Sequence, residues 1–262
     1  MPTRNPIALI TGASAGIGAA FARQLAAESH DLILVARRAA ALDQLASELR
    51  SKHGVSVETM TADLTHDDAV AGVAAKLGSA DRLELLVNNA GFGSRGLFFE
   101  SAPEQQEAMH RLHVLATERL TRAALPGMIA RRAGGIINVA SVAAFMQGRG
   151  NISYCATKAW MVSFTEGLYL ELRSMGSPVV VQALCPGFTY TEFHDVLGLD
   201  RARVIGKSWW MPADYVVGES LRGLRRGKLL VIPRLRYRLI VAVARLIPRS
   251  LLLRAAARRG RL

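Results

Sequence analysis

Short apolar runs rich in β-branched residues alternate with longer stretches of helical period along nearly the whole chain, and no other feature limits the fold as strongly. Strands are predicted over residues 6–10, 31–36, 55–60, 83–87, 136–140, 179–184 and 229–232. Helices are predicted over 16–29, 39–53, 67–77, 103–131, 152–175 and 212–226. Several of the short runs are apolar at almost every position, which suits parallel strands buried on both faces. Strict β-α alternation predicts an α/β fold, a doubly wound parallel sheet of about seven strands with helices on both faces. Half of the 262 residues are apolar and 21% are charged, so a sizeable core is available and global disorder is excluded. No internal repeat or Pro/Gly/Ser-rich linker interrupts the pattern. A single domain over residues 1–233, followed by a basic apolar extension over 234–262, is the simplest division.

The formal charge of +12 is unevenly placed. Thirteen basic residues and no acidic ones lie between Ser220 and Leu262, and subtracting them leaves residues 1–219 at −1. The main body is electrically ordinary, and the basic end needs an explanation of its own. The two cysteines, Cys155 and Cys185, have no pairing or ligand spacing, which excludes a disulfide scaffold and a zinc-ribbon type of site; no metal is expected. The opening Met-Pro-Thr-Arg-Asn-Pro leads into an apolar stretch too short and wrongly flanked for a signal peptide. A reducing, cytoplasmic setting is expected.

The first strand ends in Thr11-Gly12-Ala13-Ser14-Ala15-Gly16-Ile17-Gly18 and runs into a helix. Glycine permits a tight turn and lets backbone approach a diphosphate, which rests at the positive end of the following helix. A plain glycine-rich connection would read the same in isolation. Its place after the first strand of a βαβ unit points to dinucleotide binding on a Rossmann-type fold, with Gly12, Ser14, Gly16, Ile17 and Gly18 at the cofactor. Strand two ends in Ala36-Arg37-Arg38. A carboxylate there would hold the adenosine ribose hydroxyls and repel a 2′-phosphate. Two guanidinium forks match phosphate oxygens instead, so NADP is expected over NAD; the alternative is a solvated arginine pair at a helix start.

Tyr154 and Lys158 are four residues apart in a strongly helical segment, so they share a face. An ammonium beside a phenol stabilises phenolate and is expected to lower the tyrosine pKa from about 10, giving a general acid in one direction and a base in the other. Ser141 ends a buried-type strand, where open α/β sheets place their ligands; by itself it could equally be a turn cap.

Together with Asn88-Asn89-Ala90-Gly91 and Pro186-Gly187, these motifs resemble the short-chain dehydrogenase/reductase family over about residues 6–230, with Ser141 thirteen residues before Tyr154. The resemblance implies that Tyr154 protonates a carbonyl oxygen or deprotonates an alcohol, and that Ser141 holds that oxygen. Lys158 would bind the nicotinamide ribose. Asp63 and Leu64 would meet the adenine, and Asn89, Ala90 and Gly91 would line the cofactor past strand four. Pro186, Gly187, Thr189 and Thr191 would hold the nicotinamide carboxamide. The family also implies a homodimer or homotetramer, formed through the two long helices 103–131 and 152–175.

The family's helix asparagine falls here on His113, which can either pass protons through water or be a satisfied helix histidine. Phe92, Phe145, Met146, Phe188, Phe193, Trp209, Trp210 and Met211 cluster around the expected site, and segment 190–213 would form a substrate lid. An apolar carbonyl compound or alcohol is therefore expected, with Ser141, Phe145, Phe188 and Phe193 against it, although each aromatic could simply pack the lid.

In the extension, Arg245, Pro248 and Arg249 break an apolar run that would need about 20 residues to span a bilayer. Two readings stay open: a helix lying on an anionic membrane, peripheral at its inner face, or packing onto the domain or a neighbouring subunit. Nucleic acid is disfavoured because aromatic residues do not interleave with the arginines beyond Tyr237. The competing functions are a non-catalytic dinucleotide sensor, or a membrane-associated interaction protein, on the same fold. Neither needs the serine, tyrosine and lysine together.

Overall fold

In the computed structural model, which describes residues 5–193 and 206–259, the apolar runs form the strands β1 (Ile7–Thr11), β2 (Asp31–Ala36), β3 (Val57–Thr61), β4 (Leu83–Asn88), β5 (Gly135–Val139), β6 (Val180–Leu184) and β7 (Leu230–Val231). They make one sheet in the order β3-β2-β1-β4-β5-β6-β7, with every pairing parallel. All of β5 and all but the first residue of β1 and β2 are buried, as two-sided covering demands. The helices are α1 (Gly16–Ala27), α2 (Ala39–His53), α3 (Asp67–Gly78), α4 (Pro103–His110), α5 (Thr117–Arg131), α6 (Ile152–Ser174), α7 (Ala213–Arg225), α8 (Leu235–Leu246) and α9 (Arg249–Arg259). One apolar cluster gathers α1, α2, α7 and α8 on one face of the sheet. Another gathers α3 and α5 on the opposite face, and α6 contributes to both.

The strand order reverses between β1 and β4, so the chain leaves their C-terminal ends in opposite directions and opens a crevice there. Every candidate motif lies on a strand end at this rim or on α6 beside it. The predicted helix 103–131 is continuous but not uniform. Between α4 and α5, residues Arg111–Ala116 form a π-helical turn that carries His113 into the interior. Such a turn inserts a residue without changing composition, so periodicity alone does not reveal it.

Two further segments differ from a simple reading of the sequence. The ends of 190–213 are pinned together by a parallel bridge between Thr189 and Met211, so the segment leaves and re-enters the fold at one place; residues 194–205 lie outside the described residues. The extension is not detached from the domain. Tyr237, Val241 and Ala244 of α8 are buried, and Tyr237 and Val241 join the core cluster of α1 and α7. Among the described residues, no helix is long and apolar enough to cross a membrane.

Candidate active site

The glycine turn is held by the strand beside it. Gly12 has φ +66°, and a Cβ there would stand 2.9 Å from Ala90 Cα. The Thr11 hydroxyl accepts the backbone N–H groups of Asn89 (2.9 Å) and Ala90 (3.0 Å), while Asn89 Nδ2 donates to Thr11 O (2.9 Å) and Gly12 O (3.2 Å). Asn89 and Ala90 thus clamp the turn, and the Asn89 side chain works on protein backbone. Gly18 enters α1 against the Gly12 carbonyl, where any Cβ would overlap it. Ile17 packs on the core, and Thr191 stands over Gly16 at the same helix start. The result is a small-residue cradle at a helix N-terminus, the arrangement that accepts a diphosphate, so the chain's residues fit a dinucleotide.

The two arginines after β2 have different partners. Arg38 donates to Ser14 Oγ (3.2 Å) and Ser14 O (3.3 Å) and pairs with Glu192 at 2.9 Å. Arg37 faces Asp63 at 3.8 Å. Burial pushes the Asp63 carboxyl up, but the Thr65 N–H and hydroxyl, at 3.0 and 2.9 Å, and then Arg37, outweigh it and hold it below the ordinary range. Leu64 is buried behind it.

Ser141, Tyr154 and Lys158 meet at the ends of β5 and α6. Ser141 Oγ accepts the Ala143 N–H (3.1 Å), capping a short 3-10 turn at Val142–Phe145. It is therefore a cap, as one reading allowed, and its hydroxyl also hydrogen-bonds the Tyr154 side chain. Lys158 is 4% exposed; its Nζ lies 5.8 Å from the Tyr154 ring centre and donates to Val139 O at 2.8 Å. Burial lowers the Lys158 pKa to about 7, with Cys185 opposing. Burial also raises the Tyr154 phenol to about 12, against the pull of the Ser141 hydroxyl, although part of the ring surface stays open to the crevice. The expected depression of the tyrosine is thus not what the geometry gives. A lysine driven toward neutrality has little charge to lend.

His113 is fully buried and its two ring nitrogens have different tasks. Nε2 accepts the Phe92 N–H (3.2 Å), so Nδ1 carries the hydrogen and donates to Thr157 Oγ1 (2.9 Å), which donates in turn to Tyr154 O (3.1 Å). Burial first, then Lys158 and His110, hold its pKa well below the ordinary histidine range. A Cβ at Gly91 would come within 2.7 Å of His113 Nε2 and 3.5 Å of Lys158 Nζ, so the missing side chain leaves room for both groups.

Comparison with known proteins identifies the family. A family model described as short chain dehydrogenase matches residues 6–201. The chain is similar to the 3-oxoacyl-[acyl-carrier-protein] reductase FabG of Aquifex aeolicus, at 30% identity over 74% of this chain and 78% of that protein. Among solved structures it is similar to a short-chain dehydrogenase from Sphingobium yanoikuyae in complex with NADPH (37% identity, 92% of this chain and 93% of that one, TM-score 0.84). It is also similar to the bulky-bulky ketone specific alcohol dehydrogenase from Comamonas testosteroni (32% identity, 98% and 94%, TM-score 0.79). The chain belongs to the short-chain dehydrogenase/reductase family. A similar member from Burkholderia phymatum was solved in complex with NAD (28% identity, 94% of each chain, TM-score 0.81). Family membership therefore gives oxidoreductase chemistry and leaves the choice of nicotinamide cofactor to local residues.

In this short-chain dehydrogenase/reductase the expected substrate aromatics fall into two groups. Phe193 lies 5.5 Å from the Tyr154 ring, centre to centre, and Phe92 6.0 Å from His113, both beside the reactive cluster. Trp210 and Met211 are buried, Phe188 packs on Trp210 at 5.3 Å, and Phe145 lies under Arg245 of α8. These build the wall, and Met146 is partly exposed. After β6, Pro186 O accepts the Val142 N–H (3.0 Å) and Thr189 Oγ1 donates to Gly187 O (3.0 Å). The residue that sequence reasoning missed is Tyr237. It was read only as part of a basic tail, yet it packs on Gly187. The one available signal was an aromatic residue on the face of α8 that also carries Val241 and Ala244.

Proposed function

We propose that this enzyme transfers a hydride between NADP(H) and a carbonyl/secondary-alcohol pair on an apolar substrate. The observation that carries the reading is the meeting of Ser141, Tyr154 and Lys158 at the crevice beside the glycine cradle. The bound nicotinamide supplies or accepts the hydride. The chain's own part is placement and proton traffic. A phenol held protonated at neutral pH is the form that donates to a carbonyl oxygen as it is reduced, and the Ser141 hydroxyl donates to the same oxygen. Lys158 binds the ribose and, when protonated, favours the phenolate that the reverse direction needs. His113, with both nitrogens committed to Phe92 and Thr157, orients this cluster from behind and relays no proton to it.

NADP is favoured over NAD because Arg37 and Arg38 follow β2 where a 2′-phosphate would sit, with Arg38 held on Ser14 and Glu192 and Arg37 facing Asp63. Fluorescence titration with NADPH and NADH tests this. Arg38→Ala and Arg37→Ala should each weaken NADPH roughly ten- to a hundredfold, the worth of a charge-assisted hydrogen bond, and leave NADH within about twofold. Wild-type protein binding NADH as tightly as NADPH would overturn the assignment. An apolar substrate is supported by Phe92 and Phe193 beside the reactive cluster, and by the ketone specificity of the similar alcohol dehydrogenase.

A further role for the extension is supported by the outer face of α8. Tyr237, Val241 and Ala244 face the domain, while Leu235 (65% exposed), Leu239 (57%), Val243 (53%) and Leu246 (84%) line the opposite face. Arg236 borders this stripe on one side, and Arg238 and Arg245 on the other. An apolar stripe flanked by arginines is the pattern of a helix lying in an anionic lipid surface. Arg238 and Arg245 are paired with Glu219 (3.0 Å) and Glu166 (3.7 Å) on the domain, so the exposed leucines carry the reading, and an anionic lipid surface is the occupant favoured.

A further inference from the structure

We infer that Tyr237, from the C-terminal extension, is a positioning residue for the nicotinamide end of the cofactor site. This inference rests on the dinucleotide-dependent reading above and deepens it. The Tyr237 ring lies flat against Gly187, so close that a Cβ at that position would overlap the ring. Its hydroxyl accepts the Phe188 N–H at 3.1 Å and donates to Trp209 O at 2.8 Å. The side chain is 4% exposed, and its position is braced by Arg234 and Arg236, which donate to Ser208 O at 2.7 Å each. Arg236 also lies over the Trp209 ring at 5.0 Å.

One phenol therefore joins three pieces of chain: the loop after β6, the segment re-entering at Met211, and α8. The loop is held from its other side by the Val142 N–H on Pro186 O and by the Met211 N–H on Phe188 O (3.0 Å). With the Phe188 N–H taken by Tyr237 and Gly187 O accepting from Thr189 Oγ1 (3.0 Å), the peptide between Gly187 and Phe188 is fixed on both of its polar groups. The orientation of that peptide sets where Thr189 and Thr191 stand. Through Tyr237 the segment beginning at Arg234 acts by setting the loop after β6.

The test compares two ligands that share one end. NADPH engages the whole site, whereas adenosine 2′,5′-bisphosphate carries the adenosine and its 2′-phosphate without a nicotinamide. Tyr237→Phe keeps the ring on Gly187 and removes both hydrogen bonds. It should weaken NADPH roughly three- to tenfold and leave the bisphosphate within about twofold, both read by calorimetric titration. Tyr237→Ala should widen the gap between the two ligands. An equal fall for both ligands in Tyr237→Phe would show a general loosening and overturn the inference, as would unchanged NADPH binding. Wild-type protein that bound neither ligand would overturn the dinucleotide reading together with this one, so the two failures are told apart.

Discussion

Lys158 sits where its charge is costly. Its ammonium is nearly sealed from water, with a backbone carbonyl at 2.8 Å and the Met161 thioether at 3.4 Å as neighbours. Between pH 7 and about 10.5 the folded chain, with Lys158 near 7, binds fewer protons here than the unfolded chain. Stability must then rise with pH, by at most about 1.4 kcal/mol per unit. Tyr154 works in the opposite sense. With its pKa raised to about 12, the folded chain keeps a proton that the unfolded chain loses above about 10, and stability falls from there. Urea unfolding across this range, in buffer without added nucleotide, should show the climb and the fall, and Lys158→Met should remove the climb. A wild-type profile flat from pH 7 to 10 would contradict the burial account. The four-residue spacing of Tyr154 and Lys158 was legible in the sequence. Their pKa directions were not, because desolvation depends on what the rest of the chain stacks over them.

At the scale of elements, two glycines make opposite predictions. Gly18 opens α1 against the Gly12 carbonyl with Asn89 Nδ2 nearby, so Gly18→Ala forces the turn apart. It should cost roughly 1–3 kcal/mol, as overpacking does, and weaken NADPH binding. Gly72 lies inside α3 with nothing near a new Cβ, so Gly72→Ala should add roughly 0.5–1 kcal/mol. Thermal melts of the two variants should move in opposite directions, by about 2–4 °C per kcal/mol; movement in the same direction would refute the contrast. The strands were readable because two-sided burial demands continuous apolar runs, and β2 falls on its predicted residues. The π-helical turn at Arg111–Ala116 was not readable, and it is what buries His113. Helical period reports which face is apolar, not whether one turn holds an extra residue.

For the whole molecule, α8 connects two surfaces that sequence alone kept apart. One face closes the core over the loop after β6, and the other presents leucines and arginines outward. Removing residues 234–262 would therefore strip Tyr237 and Val241 from the core and confuse folding with lipid binding. Surface variants separate them. Full-length protein should co-sediment with vesicles containing anionic phospholipid, less so at high salt and little with purely zwitterionic vesicles. Leu239→Glu with Leu246→Glu should lower vesicle binding at least tenfold while leaving NADPH affinity unchanged. Equal sedimentation of wild type and the double variant would refute the lipid-surface role.

The order of strands and helices, the glycine cradle, the arginine pair and the Ser141, Tyr154, Lys158 set were determined by the sequence itself. Their signals are local: periodicity, turn chemistry and spacing along one helix. The tertiary structure decided that one face of α8 packs onto the domain. It also decided that Asn89 clamps backbone, that His113 is committed on both nitrogens, and that Tyr237 meets Gly187 across fifty positions of chain. Those outcomes depend on contacts between residues distant in sequence. Such contacts exist only once the sheet has brought the ends of β1, β4, β5 and β6 to one rim, and no local pattern encodes them.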